Sequence, residues 1–552
     1  MKKAILSLVS LFAFTMSHAQ NEAPTAVVKV ENDYKPEIVQ VSKRGFTPTI
    51  ENGTEITPLE LKFSKGSTPF DRFTSERNIK ELLPKQESPT PGYARLGYGT
   101  DNGVDAKLAY RLNTGNNGTI RMLAALDGFN TNVEGQYHEW KSRMYRTLLD
   151  ADYTHEFEYL TLNVVGNFIG KVFNYQKTGD AYFHTDKQDC KNYTLSTTGI
   201  GKLTGPFSYS FNAGYTQNRR GYSDNQERYI AQHRVNFGGN IAYEIYDMEL
   251  RKIGAEVNFD TYMYNSRLRN ADYGYSNFLS ADINPFLDFN FGEWKLRLGT
   301  KINLRTNGGA AFAIAPNIKV DGAFAKNVSL YASITGGRVN NGFEQMDAVS
   351  PYWNFISKYS HQLKPTYKVA DFTAGSRVSV GNLSMDFHAG YAYTKDDVLQ
   401  APFYSAILNQ QALLYVDLIQ QNTHNIYVGT RAGYDILGWI RVAATARYDF
   451  WNCDNKNLLV MKPQLYAGIE AEAEPMKNMT VKANYSITRY TAGNKDTRIG
   501  NRYDLNARVN YRINDMFSVY AQGENLLDCN NYEYTAYITR GIRGMLGATV
   551  NF

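Results

Sequence analysis

The segment "YDLNARVNYRI", from Tyr503 to Ile513, alternates apolar and polar side chains without a break. Its apolar positions are Tyr503, Leu505, Ala507, Val509, Tyr511 and Ile513, and its polar positions are Asp504, Asn506, Arg508, Asn510 and Arg512. Successive side chains of a β-strand point to opposite faces, so the pattern predicts a strand with one apolar face and one charged face. The fold depends on what these two faces contact.

The same alternation recurs from Gly92 to the C-terminus. Clear examples are "HRVNFGGNIAYEI" from His233, "KIGAEVNFDTYMY" from Lys252 and "RVAATARYDF" from Arg441. Counting such segments from "GYARLGYG" to "GMLGATVNF" gives about 22, and single-chain bacterial membrane barrels have even strand numbers. The sequence therefore predicts an all-β fold, a transmembrane antiparallel up-and-down β-barrel of about 22 strands, preceded by a Pro-rich irregular N-terminal arm.

A soluble antiparallel sheet also alternates, but two features favour a membrane barrel. The apolar faces accept Ala and Thr, while Tyr and Phe crowd the segment ends, as in aromatic girdles. The connections also alternate in length: "INDM", "EPMKNM", "DILGW", "VGNLS", "AKNVS" and "FGEW" are tight, whereas residues 338–367 and 395–424 are long and polar. Short turns on the periplasmic rim and long loops outside are typical of outer-membrane barrels.

The two surroundings of the opening segment are then lipid and a polar lumen. A shift of one residue would turn Arg508 and Arg512 towards lipid. An arginine at the bilayer midplane costs about 2–4 kcal/mol, so the register is strongly specified. Because lipid cannot satisfy free backbone groups, the sheet is expected to close on itself.

The N-terminus predicts export. "MKKAILSLVSLFAFTMSHAQ" has two lysines, a short apolar run and a small-residue cleavage pattern ending at Ala19, which is typical of a secretory signal peptide. The alternative, a membrane anchor, needs about 20 apolar residues. We expect residues 1–19 to be the signal peptide, 20–91 a periplasmic arm and 92–552 the barrel in the outer membrane of a Gram-negative bacterium.

The arm differs in composition from the rest of the chain. Its prolines are Pro24, Pro36, Pro48, Pro58, Pro69, Pro84, Pro89 and Pro91, half of the 16 in the sequence. Proline cannot donate to a sheet ladder, so the arm is expected to be irregular, with "SERNIKELL" as a helix-like piece. The net charge of +5 is small for 552 residues, and nothing in its distribution indicates nucleic-acid binding.

The C-terminal portion resembles the barrel of TonB-dependent outer-membrane receptors. The match is carried by "FSVYAQGENLLDCNNYEY", from Phe517 to Tyr534, and by the closing segment "GMLGATVNF". Within the first of these, the matching residues are Asn525, Leu526, Asp528, Tyr532 and Glu533. The resemblance implies that the terminal Phe552 is the signal read by the barrel-assembly machinery. Those receptors carry an N-terminal plug domain of well over 100 residues. Here only about 72 residues, 20–91, lie between the predicted signal peptide and Gly92, and they contain no plug motif, so the chain looks like a plugless member.

The resemblance also implies a periplasmic or TonB-type partner. A TonB-box-like element would comprise Val27, Val28, Lys29 and Val30, where an extended strand can add to the edge of a partner's sheet. The alternative interpretation is a disordered N-terminus with chance valines.

The polar faces of the segments predict a lumen-facing surface. Its main members are Arg234, Glu256, Arg431, Arg447, Asp504, Arg508 and Arg512. Two interpretations are open, a surface that selects solutes and a hydrated wall of mutually paired charges. The mixed signs argue against strong selection of anions or cations.

No motif indicates catalysis or a metal site. HExxH, GxSxG and calcium-loop patterns do not occur, so we expect neither an enzyme nor a cofactor. Cys190, Cys453 and Cys529 form no CxxC, although a pair between Cys453 and Cys529 stays open.

Two functions remain open at this point. One is a receptor-like barrel that passes or binds a solute at the cell surface. The other is a non-transporting structural or assembly protein of the envelope, whose arm fills the lumen or docks a periplasmic partner. Outer loops such as "RNADYGYSNF" and "VSPYWNFISKYSHQ" are expected either to grip a ligand or to pack on one another over the mouth.

Overall fold

The computed structural model describes residues 91–552. The described part leaves out 116, 135–138, 177–186, 203–204, 223–228, 247–248, 267–274, 355–362, 402–414, 492–498, 536 and 539–540. The predicted signal peptide and arm lie outside it.

Long strands account for most of the described residues. The first eleven are β1 (Gly92–Gly99), β2 (Gly103–Gly115), β3 (Gly118–Glu134), β4 (Glu139–Glu156), β5 (Leu160–Asn174), β6 (Lys187–Gly201), β7 (Phe207–Tyr222), β8 (Tyr229–Glu244), β9 (Leu250–Ser266), β10 (Phe278–Phe291) and β11 (Trp294–Arg305). The next ten are β12 (Phe312–Ala325), β13 (Val328–Val339), β14 (Thr366–Val380), β15 (Leu383–Gln400), β16 (Leu418–Asp435), β17 (Ile440–Asn452), β18 (Pro463–Met476), β19 (Met479–Tyr490), β20 (Arg502–Arg512) and β21 (Phe517–Glu524). A small hairpin, β22 (Tyr532–Tyr534) and β23 (Tyr537–Ile538), precedes the last strand, β24 (Arg543–Asn551). Within the described ranges, the helical elements are α1 (Phe343–Val349) and a 3-10 turn at Lys456–Leu459.

The sheet is a closed barrel. Each strand from β1 to β20 pairs antiparallel with the next, β21 pairs with β24, and β24 returns to β1. The ring therefore contains 22 strands, which confirms the predicted fold and strand number. At about 4.8 Å between tilted strands, such a ring is roughly 40 Å across.

Register separates the two predicted faces. Across β19 and β20, Val481 lies opposite Val509 and Tyr485 opposite Leu505, whereas Lys482 lies opposite Arg508. Large apolar side chains are exposed on the outer face all around the ring, for example Leu546 at 70% and Leu96 at 67%. Because so much exposed apolar surface requires lipid, the barrel spans a membrane, and it is of the outer-membrane type.

The two rims differ as predicted. All the tight connections named above join strands at the rim that also carries Gly92 and Phe552, and the long segments lie at the opposite rim. Exposed aromatic residues collect at the short-turn rim; they include Phe157, Tyr159, Phe207, Tyr209, Tyr243, Tyr246, Phe291, Phe324, Tyr434, Trp439, Phe517 and Phe552. They form one aromatic girdle. Among the described residues, no helix is long and apolar enough to cross a membrane.

The motif after β21 forms a turn that leaves the barrel wall. Asn525 and Asp528 both adopt positive φ, at 49° and 53°, a conformation that Asn and Asp tolerate better than other side chains. The Asn525 side chain holds the turn by donating to the Cys529 carbonyl at 3.1 Å. The Asn531 amide then pairs with the backbone of Tyr503, donating to its carbonyl at 2.7 Å and accepting from its N–H at 3.1 Å.

Candidate functional site: the lumen and its outer cap

Three of the predicted lumen residues form ion pairs on the inner wall. Arg234 pairs with Asp260 across β8 and β9 at 2.7 Å. Arg447 pairs with Asp449 on the same strand at 2.8 Å. Asp504 likewise accepts from Arg502 at 3.1 Å. These charges are satisfied within the wall itself.

The other four form no ion pair shorter than 4.0 Å within the described chain. Glu256 accepts from Asn284 at 2.9 Å and lies 4.0 Å from Arg297. Arg508 donates to Asn510 at 3.0 Å. Arg431 is exposed and has no ion pair within the part of the chain that the structure describes. Arg512 lies at the short-turn rim, where it donates to Asn478 at 3.4 Å. Their functional roles stay predictions.

A repeated stack on the inner wall was not anticipated from the sequence. In it, an aromatic ring lies flat over a glycine of the neighbouring strand, and an arginine lies on the ring. At Gly390, Tyr427 covers the glycine and Arg447 lies 4.2 Å from the ring centroid. The same arrangement recurs with Gly375, Tyr331 and Arg377, with Gly547, Tyr520 and Arg508, and with Gly254, Phe286 and Arg297.

The stack has a physical explanation. A flat ring fits only where the adjacent residue lacks a β-carbon, and the ring face then attracts the guanidinium. A carboxylate completes three of the stacks, as with Arg377 and Asp321 at 2.9 Å. The only sequence signal is an inward glycine on the strand next to an inward aromatic residue, and strand register must be known before it can be recognised.

Extensions of distant strands meet at the long-loop rim. We call the resulting cluster the cap. Its buried apolar members are Phe173, Tyr175, Cys190, Ile230, Phe343, Met346, Tyr352, Trp353, Val398, Tyr415, Val416, Leu418 and Tyr537. They come from β5–β8, from the segment after β13, from the β15–β16 connection and from the hairpin before β24. These sources lie far apart around a ring of 22 strands, so their contacts cross the bore.

Hydrogen bonds and ring stacking join three of the four sources of the cap. The Tyr175 hydroxyl donates to the Trp353 carbonyl at 3.1 Å, and the Tyr537 hydroxyl accepts from the Gln176 N–H at 3.2 Å. Tyr352 stacks on Tyr537 with centroids 3.5 Å apart. Burial raises the pKa of Tyr537 well above its ordinary value, because the phenolate would be desolvated.

Arg220 holds the cap to the inner wall. Its guanidinium pairs with Asp347 and donates to the Pro351 carbonyl. It also donates to the Tyr175 hydroxyl at 3.2 Å. The arginine is only 2% exposed, and Asp347 in turn accepts from the Trp353 indole N–H at 2.7 Å. A buried arginine with these partners fixes α1 across the mouth.

The described parts of the two predicted recognition loops pack on other residues of the mouth. In "VSPYWNFISKYSHQ", Tyr352 and Trp353 are buried in the cap, and Trp353 is 0% exposed. In "RNADYGYSNF", Tyr275 stacks on Tyr264 at 5.2 Å and meets Phe343 edge-on at 5.5 Å. The described residues of both loops therefore favour the second interpretation, in which the loops cover the mouth.

The predicted terminal signals lie in different parts of the chain. Phe552 is exposed at the short-turn rim, its N–H donates to the Gly92 carbonyl at 2.9 Å, and its ring stacks on Tyr110. Recognition of Phe552 by the assembly machinery stays a prediction. The TonB-box-like element at Val27, Val28, Lys29 and Val30 lies outside the described residues.

The described residues contain neither a disulfide nor a cluster of metal-binding side chains. All three cysteines are free thiols, so the pair between Cys453 and Cys529 that the sequence left open does not form. Within the described ranges, no group of three or more His, Cys, Asp or Glu side chains could hold a metal ion.

Solved structures share this architecture. The FrpB iron transporter from Neisseria meningitidis matches with a TM-score of 0.64 at 10% identity, over 86% of this chain and 82% of that one. The barrel has the fold of the TonB-dependent outer-membrane receptors. The ferric-catecholate import receptor Fiu from E. coli matches at 0.59 with 10% identity, over 84% and 82%. The siderophore receptor PiuA from Acinetobacter baumannii matches at 0.58 with 12% identity, over 84% and 82%.

The resemblance inferred from the closing motifs is thus confirmed for the barrel. No protein-family model matches the sequence, and no curated protein is similar to it. At 10–12% identity the structural likeness establishes the fold alone, so the identity of the solute must be argued from this chain's own residues. Whether the N-terminal arm replaces a plug stays a prediction.

Proposed function

We propose that the protein is a cell-surface receptor that admits a solute through the barrel when the cap opens. The observation that supports this most strongly is the cap itself. Its buried arginine, Arg220, joins the wall at β7 to the short helix α1, and Tyr537 joins the hairpin before β24 to the same cluster. A structural barrel can keep its bore permanently filled. A passage needs a cover at its entrance that can open for a solute and otherwise stay closed, and the cap lies at that position.

The fold supports the same proposal. The structural relatives named above are called transporters and receptors for iron and siderophores. We infer only the general class from them, passage or binding of a solute at the surface. A wide barrel of 22 strands also needs its bore filled or covered to prevent leakage.

Conductance in planar bilayers tests the proposal. The Arg220→Ala variant loses the ion pair with Asp347 and is expected to open the mouth more often, raising conductance. Arg441→Ala is the control, because Arg441 lies exposed near the short-turn rim and pairs only with Asp435 there. Each variant is measured with and without residues 20–91, so that a blocking arm does not hide the effect. Absence of conductance in every version would contradict passage through the barrel and favour the structural role.

A periplasmic partner is part of the proposal. We infer that the segment Val27 to Val30 adds as a strand to a TonB-type protein, which supplies the energy for opening. Val28→Pro removes a backbone donor from that strand and is expected to abolish co-purification of the partner without changing barrel stability. Val28→Ala is the matched control, since it retains the donor.

A further inference from the structure

One part of the inner wall contains polar side chains that make no hydrogen bond within the part of the chain that the structure describes. We call it the amide patch and define it by Thr198, Ser210, Asn212, Asn236, Asn240 and Asn258, from β6 to β9. Register makes these residues neighbours: Asn212 lies between Thr198 and Gly238, and Gly238 lies between Asn212 and Asn258. All six face the lumen, because they alternate with exposed outward residues such as Val235 and Phe237. They are half-buried, apart from Asn258, which is exposed.

The side chains of the patch leave their hydrogen-bond donors and acceptors unused within the described chain. Within the described chain, none of its six side chains makes a hydrogen bond, and the Asn240 amide oxygen is shielded from solvent as well. Buried polar side chains are normally satisfied. The pairs of Arg234 with Asp260 and of Asn284 with Glu256, on either side of the patch, are satisfied in this way.

Two of the amides converge over a glycine. The side-chain oxygens of Asn212 and Asn258 approach Gly238 from opposite sides and occupy the space that a β-carbon would fill. At Gly214, a β-carbon would lie 2.6 Å from the Asn236 amide oxygen. At both glycines the inner wall is therefore covered by amide groups. An amide both donates and accepts, so these groups can bind a hydroxyl group in either sense.

The patch also has no charge. It contains neither an acidic nor a basic side chain, and the charged groups that border it have partners of their own. Arg234 pairs with Asp260 at 2.7 Å, and Glu256, opposite Asn240, accepts from Asn284 at 2.9 Å and lies 4.0 Å from Arg297. An ionic solute would leave its charge without a counter-ion here, at a cost in desolvation. A neutral solute with many hydroxyl groups would instead satisfy the free donors and acceptors.

We propose that the amide patch binds a neutral, hydroxyl-rich solute of the oligosaccharide class inside the barrel. The inference rests on the proposed function, because it assumes that a solute enters the bore. Asn212 is eight residues below Arg220 along β7, roughly 26 Å at 3.3 Å per residue. The patch is thus a contact deep in the bore that the solute reaches after the cap opens.

Calorimetric titration of the full-length protein tests the inference. The probes are neutral hexasaccharides, maltohexaose, cellohexaose and xylohexaose, and two charged compounds, hexagalacturonate and ferric citrate. A zwitterionic detergent without a sugar head group avoids competition. The variant Asn212→Leu with Asn258→Leu keeps side-chain size but removes both converging amides. Asn484→Leu is the matched control, since Asn484 is an inward, half-buried amide of β19 on the opposite wall. Heat-modifiable migration on gels shows that each variant is folded.

The expected result is that at least one neutral hexasaccharide binds, and that the double variant weakens its affinity tenfold or more while the control changes it less than twofold. Binding of only the charged probes, or neutral binding that the double variant leaves unchanged, would overturn the inference and leave the proposed receptor function intact. Failure of every probe to bind would also overturn it, whereas the receptor function itself is judged by the conductance measurement above.

Discussion

The inner wall has two chemically different sectors. From β14 to β21 and on to β1, charged side chains are paired with one another and stacked on aromatic rings, as with Arg447, Asp449 and Tyr427. From β6 to β9, the amide patch contains no charged side chain and makes no hydrogen bond within the described chain. The first sector pairs most of its charges and so supports the wall. The second leaves donors and acceptors free, so it is the part suited to a solute. Four substitutions test this contrast.

The largest effect is expected at the ionic sector. Asp449→Ala leaves Arg447 without its carboxylate in a site where both side chains are largely buried, and we expect the free energy of unfolding to fall by about 3 kcal/mol. Urea titration of the refolded barrel in micelles, followed by gel migration, measures this. Arg431→Ala serves as the control, because Arg431 is exposed and is expected to change stability by less than about 0.5 kcal/mol. If the two substitutions lowered the free energy of unfolding equally, the buried ion pair would contribute no more to the wall than an exposed charge does.

The stacked rings should give the next largest effect. A β-carbon at Gly390 would collide with the Phe372 carbonyl and the Tyr427 ring, so Gly390→Ala is expected to cost about 1–3 kcal/mol. The matched control is Gly166→Ala on β5, where a β-carbon would meet nothing within 4 Å and stability should hold or rise slightly. If both variants unfold at the same urea concentration, packing of the Tyr427 ring does not require a glycine at position 390.

Within the ionic sector, the stabilisation from each ion pair should decrease as its side chains become more exposed. Lys482 and Glu472 lie 3.1 Å apart, but their side chains are 55% and 40% exposed. Lys482→Met is therefore expected to cost less than about 1 kcal/mol, and less still at high salt. The same titration in low and high salt checks both points. A loss as large as that of Asp449→Ala would show that burial does not set the strength of these pairs.

The smallest effect on stability is expected in the amide patch. Asn236→Ala removes no hydrogen bond, so the free energy of unfolding should change by less than about 0.5 kcal/mol. The unfolding midpoint in urea measures this change. A loss above about 2 kcal/mol would mean that these amides serve the fold rather than a solute.

How much could be read from the sequence differs between elements. The first strand is Gly92–Gly99, as its turn residues and alternation predict, and the opening segment forms β20 within one residue at each end. Alternation of period two is a local property, so it can be recognised without knowing which strands are neighbours. The inward position of Arg508 followed from it as well. The partner of Arg508 did not, because Tyr520 and Asn510 come into contact with it only through register and side-chain conformation.

By itself, the sequence determined the closed barrel, its 22 strands, the short-turn rim and the inward set of charges. Each follows from a repeated local pattern and from the requirement that lipid meet only apolar side chains and paired backbone. Tertiary structure alone decided the cap and the amide patch. Arg220 and Asp347 are 127 residues apart in the chain, and Asn212 meets Asn258 only over a glycine of the strand between them. The contacts of the cap depend on closure of the ring, and those of the amide patch depend on the register of neighbouring strands. Neither is recorded in a local sequence pattern.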